Sequence, residues 1–481
     1  MTWETSNRWI GALALFFLAF LCFSLWREQY IMLAIPAFLS ILIMAFFRPE
    51  YLFYTVVFLT PFSINLEELE MGGLAFYLPT EPLLFGFMII VILGQLYQKI
   101  IPDEVLQHPV SRVIYLYLIW LLICSFTSTD PMVSFKFLVA KLWFIVPIYF
   151  FGTAMFRQVD HILRFLKAYL FPFLVVVIFT VIVHGGYGFE EEAAHWVMEP
   201  FYRDHTQYGA IVALFVPISI ALLFLPRQSL HGRTIFLMAT AILIFALVYS
   251  YSRAAWLSVF LAVTLWLIVQ LRIRMWFLIT GGIVLAGLLF LSFDDLMVQI
   301  QKNKTDSSDN LVENVESITN ITTDASNLER INRWRAVFAM AAVRPVFGFG
   351  PGTYMFEYAP YQRSQDLTII STNFGDVGNA HSEYLGPLAE TGVPGFLIVA
   401  IWTFVLFLSS FRAYHRLQTR PLLRHILIFT TLALVTYFSH GMLNNFLDSD
   451  KASVPVFGCM AIIVALDLAS RNAVPVTQNQ I

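Results

Sequence analysis

The chain alternates between long apolar runs and short polar connections, and the length of each run sets the element it can form. A helix rises about 1.5 Å per residue, so about 20 mostly apolar residues, within a range of roughly 17–25, cross the hydrocarbon of a bilayer. Fourteen stretches are candidates, near residues 8–26, 30–47, 51–63, 82–98, 111–126, 134–155, 163–183, 206–225, 234–250, 254–271, 275–292, 392–411, 424–441 and 453–470. The third is short and ends at Pro61, so it is expected to be tilted, broken or merged with a neighbour, giving about twelve to fourteen transmembrane helices. The first run, Ile10 to Trp26, lacks a small-residue cleavage site and leads straight into another apolar run, so it reads as a retained span.

One segment breaks the pattern. Residues 293–391 are polar and lie between two spans. They open with a run from Gln301 to Asn327 rich in Asn, Asp, Ser and Thr, which reads as a surface excursion. Leu328 to Thr391 instead mixes Trp, Phe, Tyr, Gly and Pro with helical stretches, and is expected to fold as a subdomain. The expected organisation is a transmembrane bundle over 1–292, a large loop over 293–391, and C-terminal helices with a short tail over 392–481.

Composition agrees with that picture. The chain is 58% hydrophobic and 13% charged, against about 25% charged in soluble domains, so lipid-facing surface replaces charge. The fold class is all-α and polytopic. A net charge of −3 offers no basic field for nucleic acid. Cys22, Cys124 and Cys459 fall far apart inside apolar runs and read as small core residues. With the N-terminus inside, the cytoplasmic segments hold sixteen Lys and Arg, and the short outer loops hold four: Arg27, Arg203, Arg253 and Lys451. That bias puts the 293–391 loop, and any chemistry in it, on the non-cytoplasmic face. Glu67, Glu68, Glu70 and Glu81 in an outer loop without cations agree.

Arg330, Arg333 and Arg335 crowd into six residues, with Arg330 and Arg333 on one helical face. Guanidinium groups clamp phosphate bidentately, yet spacing alone favours a solvated helix salt-bridged through Glu329. The alternate glycines of Gly348-Phe-Gly350-Pro-Gly352 permit a tight turn and, equally, close approach by a ligand. His381, just before a span, can take a proton near neutral pH, with Glu383 and Glu390 orienting it or remaining solvated; a lone histidine is more often structural. Arg253, between two apolar runs, runs against the positive-inside bias, so it either snorkels to lipid phosphate or binds an anionic lipid-linked ligand. Arg203 opens another span on the same face beside Asp204, while Lys136 and Lys141 lie within a span and need partners.

These pieces together resemble the O-antigen ligase and polymerase superfamily. Ser252-Arg253-Ala-Ala-Trp256 resembles its Ser-Arg-Gly/Ala element. Arg330 with Trp334, Pro345, Gly348, Gly350 and Gly352 resembles its R-x-x-x-W…P-x-x-G-x-G-x-G element. Ala380-His381-Ser382-Glu383-Tyr384-Leu385, followed by Gly392 and Gly395, resembles its H-N/S-x-x-L…G-x-x-G element. All three stand in the family's order over roughly 200–410.

The resemblance implies a C-type membrane glycosyltransferase in the bacterial inner membrane, active on the periplasmic side in lipopolysaccharide or polysaccharide biosynthesis. Its donor would be an undecaprenyl-diphosphate-linked glycan, and its acceptor a hydroxyl of a glycan, lipid A–core or protein. His381 would be the catalytic histidine, and Arg253 and Arg330 would bind the diphosphate. Arg203, Arg333 and Arg335 would assist, with Glu383, Gly348 and Gly350 supporting. No cofactor or metal is expected, because arginines can stabilise a diphosphate leaving group and His381 can serve as base. Asp448 and Asp450 are the nearest thing to a metal pair on this face. One in-line displacement would invert the anomeric centre.

A flippase of lipid-linked sugars would also carry many spans and buried cations, but would show related halves, which this sequence lacks. A non-catalytic envelope scaffold is the third reading. Orientation is testable first: cysteines placed at Ser307 or Ser364 should react with an impermeant maleimide in intact cells. Labelling only after permeabilisation would overturn the orientation.

Overall fold

The computed structural model describes residues 17, 27, 34–65, 77–226, 228–272, 325–363, 367, 371 and 378–471. The apolar run 8–26, the run 275–292, most of Gln301–Asn327, and Glu67, Glu68 and Glu70 lie outside them. Two compact units divide after Val56. The first, Met1–Val56, contains α1 (Ala34–Phe47) and most of α2 (Pro49–Leu59). The short third run behaves as its proline requires: α2 stops at Leu59, and Thr60–Phe62 turn as a 3-10 segment around Pro61.

The second unit, Val57–Ile481, is a helical bundle. Its spans are α3 (Thr80–Gln98), α4 (Pro109–Phe126), α5 (Pro131–Met155), α6 (Val159–Gly186), α7 (His205–Leu223), α8 (Leu230–Val248) and α9 (Arg253–Gln270). After the loop helix α10 (Ala325–Val343) come α11 (Leu385–Arg416), α12 (Pro421–His440) and α13 (Asp450–Arg471). Ten helices among the described residues are thus long and apolar enough to cross a membrane. The only strands among those residues, β1 (Ile64–Asn65) and β2 (Tyr77–Leu78), pair antiparallel. The chain is an all-α polytopic membrane protein.

Starts are fixed by local chemistry. Asp130 accepts from Val133 N to cap α5, Ser229 accepts from Gly232 N to cap α8, and Pro109, Pro131 and Pro421 occupy first turns. Burial then sorts the spans. The most apolar stretch of α13 is 94% buried, so its hydrophobicity serves protein packing, whereas α9 is 17% buried and turns most of its surface outward.

Charges inside the bundle are paired. Lys451 is fully buried at the start of α13, not in an outer loop as its sequence position suggested, and its Nζ donates to Ser63 O, Ser63 Oγ and Thr60 O. Asp450 accepts from Ser63 Oγ and Thr80 Oγ1. Lys141 finds the partner it needed in Asp448 at 2.8 Å and Leu447 O at 2.8 Å, while Lys136 is exposed in the first turns of α5. The two aspartates are therefore committed to different lysine-bearing networks. At the other end of the bundle Asp467 gathers His108, Arg416 and Arg471, tying the start of α4 to the ends of α11 and α13. Cys124 and Cys459 are buried free thiols, as expected, and Cys22 lies outside the described residues.

The loop after α10 has its own core of Val337, Met340, Phe349, Tyr354, Tyr358, Ala380, Leu388 and Ala389. That core includes the first turns of α11, which runs across the expected division at 391 and breaks at Gly392 (φ 72, ψ −173). The polar backbone exposed by the break is satisfied from the glycine-rich loop: Val393 N donates to Pro345 O, Phe349 N to Ala389 O and Gly350 N to Glu390 O. Trp120 Nε1 donates to Thr391 O at 2.9 Å from α4. Phe349 O in turn accepts from Thr129 N, Thr129 Oγ1 and Ser128 Oγ.

Gly350 sits at φ 121, and a Cβ there would overlap the hydroxyls of Ser128 and Ser134. Gly350→Ala should therefore cost at least ~1–3 kcal/mol from backbone strain alone. Gly86→Ala, where a Cβ meets nothing within 4 Å, should be neutral or slightly stabilising. Thermal unfolding in detergent distinguishes them, and equal melting would remove Gly350 from its anchoring role.

Candidate active site

The ends of α7, α9, α12 and the start of α11 lie on one face of the bundle, and the loop core lies over it. α12 packs on both α7 and α9, which brings His440, His205 and Arg253 to a common junction. The charges acting on His205 are those of His195, Asp204, Arg330 and Arg253, so the fields of both arginines reach one imidazole. Arg330 is half-buried and its Nε donates to Leu443 O at 3.2 Å, in the turn after α12. Arg330 and Arg333 both act on His381. The fold thus brings Arg253, Arg330 and His381 into one neighbourhood.

His381 is held from several sides. Its backbone is left-handed, at φ 47, a region a β-substituted residue occupies only when its surroundings fix it. Its N–H donates to Asn379 Oδ1 at 2.9 Å. Asn379 O accepts from Arg333 Nη1 at 3.2 Å, and Gly378 has no side chain where that guanidinium passes. On the other side Ser382 Oγ accepts from Tyr384 N and Leu385 N, starting α11. Asn444 is near enough to the ring to favour its protonated form. Burial, followed by the Arg333 and Arg330 charges, lowers the imidazole pKa to about 4, so the free site holds a neutral histidine.

Arg333 is differently employed from Arg330. It is buried, its Nε pairs with Glu329 Oε1 at 2.7 Å, and its guanidinium lies 4.8 Å over the Tyr358 ring. Hydrogen bonds from Ser371, Arg333 and Asn332 outweigh burial and hold the Glu329 carboxyl below its ordinary range. This buried i,i+4 pair is the partner arrangement the sequence favoured, moved from solvent into the core. Arg335 and Arg203 are both exposed. Asp204 caps α7 through Thr206 N and Gln207 N, so its Oδ1 is occupied by backbone.

Glu383 is turned away from His381 and is half-buried among other partners. Its Oε1 accepts from Tyr437 OH, Phe446 N and Leu447 N at 2.7, 2.7 and 2.9 Å, and its own N–H donates to Gly441 O. It pins the turn that carries Leu443 and Asn444 under Arg330 and His381. Burial and the Asp448 charge push its carboxyl upward. Glu390 Oε1 accepts from Tyr354 N and belongs to the loop core. Gly348 and Gly350 are the anchors of that loop. Asn379, Asn444 and His440 were missed by the sequence reading; no motif marks them, and only the fold carries them to the site. Among the described residues no group of three His, Cys, Asp or Glu side chains has a metal-holding arrangement.

Residues 238–400 match the family model described as O-antigen ligase, a segment that contains Arg253, Arg330, His381 and the glycine loop. No match was found among curated proteins. The family supports a glycan-transfer role of the ligase and polymerase class.

The arginines can be separated by stability. Arg333→Ala removes the cation 2.7 Å from the buried Glu329 carboxylate and should destabilise by ~3–5 kcal/mol, whereas exposed Arg335→Ala should leave melting unchanged within about 0.5 kcal/mol. Equal melting of the two variants would refute the bracket assigned to Arg333.

Proposed function

We propose that this chain, whose residues 238–400 place it in the O-antigen ligase and polymerase superfamily, transfers a glycan from an undecaprenyl-diphosphate carrier to an acceptor hydroxyl on the periplasmic face of the inner membrane. The observation that carries the proposal is electrostatic: the charges of Arg253 and Arg330 both act on His205, and that of Arg330 also acts on His381, whose imidazole is neutral. A diphosphate leaving group needs charge stabilisation, and an attacking hydroxyl needs a base.

In this reading Arg253 and Arg330 bind the diphosphate. His381 takes the proton of the acceptor hydroxyl as its oxygen bonds to the anomeric carbon. The bond from that carbon to the carrier phosphate breaks, and the electron pair leaves with the diphosphate. Asn444 orients the imidazole, while Arg333, Asn379 and Glu383 position the segments that carry it. Attack opposite the leaving group inverts the anomeric centre. The neutral state of His381 supports this role, because a protonated ring could accept nothing. The reading covers transfer to lipid A–core, to a growing glycan or to protein. A purified-protein assay with lipid-linked glycan sorts them: self-elongation marks a polymerase, and transfer to lipid A–core or protein marks a ligase.

Donor binding and turnover should separate. Arg253→Lys keeps charge but loses the planar fork, and with Arg330→Ala should cost about 2–4 kcal/mol of transition-state stabilisation together with weaker donor binding. His381→Ala should bind donor nearly normally while turnover collapses. Near wild-type turnover in His381→Ala would sink the base assignment. Because the free imidazole titrates at about 4 and must be neutral to act, kcat/KM should stay level from pH 7 to 5 and fall as pH approaches 4. An acidic limb centred near the ordinary histidine value would contradict this environment.

A further inference from the structure

His440 ends α12 at the same junction, and its chemistry is unspent. The residue is 1% exposed, and among the described residues neither Nδ1 nor Nε2 has a hydrogen-bond partner. A buried polar group without a partner costs about 1–3 kcal/mol, so an imidazole with two such atoms is expensive to retain unless something arrives to bond it. A phenylalanine would fill the space, and one already packs there: the Phe446 ring lies 5.7 Å from His440.

Its position ties it to the site. Leu443 N donates to His440 O at 2.9 Å, and Leu443 O accepts from Arg330 Nε. One turn of backbone therefore carries the imidazole on one side and receives the arginine on the other. Two further buried polar atoms nearby in the fold or sequence lack a partner among the described residues. His205 Nδ1 is one, on a ring that acts on His440 and sits edge-on 4.1 Å from His195; Asn444 Nδ2 is the other, in the turn that follows His440. Arg330, Asp204 and His205 are the charged or titratable groups acting on His440. Asp204 spends its Oδ1 on the α7 cap.

We propose that His440 is a phosphate-binding side chain of this site, its ring N–H donating to a phosphoryl oxygen of the lipid-linked diphosphate alongside Arg330. This rests on the function proposed above and extends it to a residue outside the matched family segment. A neutral N–H adds a directional bond where more cations would repel one another. The second ring nitrogen accepts from water or a glycan hydroxyl.

The test uses purified full-length protein in detergent, with polyprenyl diphosphate free of sugar as the probe, measured by calorimetry. His440→Phe keeps the ring, its packing and its volume but loses the N–H. Its Kd should rise about 10- to 100-fold, the span expected for one hydrogen bond to a charged oxygen. His440→Gln, which keeps an N–H donor, should recover most of the affinity, and neither variant should melt below the wild type, His440→Phe melting at or above it. Wild-type affinity in His440→Phe overturns the proposal. So does a variant that binds the bare diphosphate normally and weakens only glycan-bearing donor, which would make His440 a sugar contact. Lowered melting in both variants, with no rescue by Gln, makes it structural and likewise overturns it. If wild-type protein itself binds no polyprenyl diphosphate, the proposed function fails first and this inference with it.

Discussion

Irregular backbone at the end of a membrane bundle must satisfy its polar groups within the protein, because lipid offers no partners. The break of α11 at Gly392 sets that problem, and the site grows from its solution. Pro345, Phe349 and Gly350 bond the backbone on either side of the break, and Trp120 closes Thr391 O. The same loop is clasped by Ser128 and Thr129 from the turn before α5. The glycines are needed for this knitting because their backbones approach other chain segments too closely for a side chain, and they hold the loop core over the ends of the spans.

Once that core is fixed, the segment bearing His381 has little freedom. It leaves the core at Gly378, is gripped through Asn379 by Arg333, and starts α11 through Ser382. From below, Glu383 collects the turn after α12 with one carboxylate oxygen. Charge buried for architecture and charge placed for chemistry therefore stand close together on the same helix, Arg333 facing Glu329 and Arg330 facing Leu443.

That adjacency explains what the sequence could and could not disclose. The succession of apolar spans follows from run lengths, because lipid imposes them residue by residue, and ten of the expected spans appear among the described residues. Arg253 stood out because an ionisable group at a span end is costly, and His381 because an imidazole there can take a proton near neutral pH. The difference between Arg330 and Arg333 was hidden, since both lie on one helical face and only Tyr358, Asn379 and the burial of Glu329 tell them apart. Glu383 looked like a partner for His381 because it is two residues away, yet the left-handed turn at His381 separates them and sends the carboxylate to Tyr437. Lys451 was counted as a loop cation because its partners, Ser63 and Thr60, are remote in sequence. Asn444 and His440 carry no periodicity or motif; tertiary packing alone gives them meaning.

The electrostatics of the free site carry one more consequence. Arg330 and Arg333 lower the basicity of His381, which secures its neutral form but makes it a weak acceptor. A bound diphosphate would place negative charge against Arg330, cancelling part of the field that depresses the imidazole. Basicity would then rise only when a donor is present, so proton abstraction would be coupled to donor occupancy without any moving part. Arg333 cannot contribute to that change in the same way, because Glu329 already compensates it. The variable charge would be that of Arg330, and its contact with Leu443 puts it one residue from Asn444, which also acts on His381.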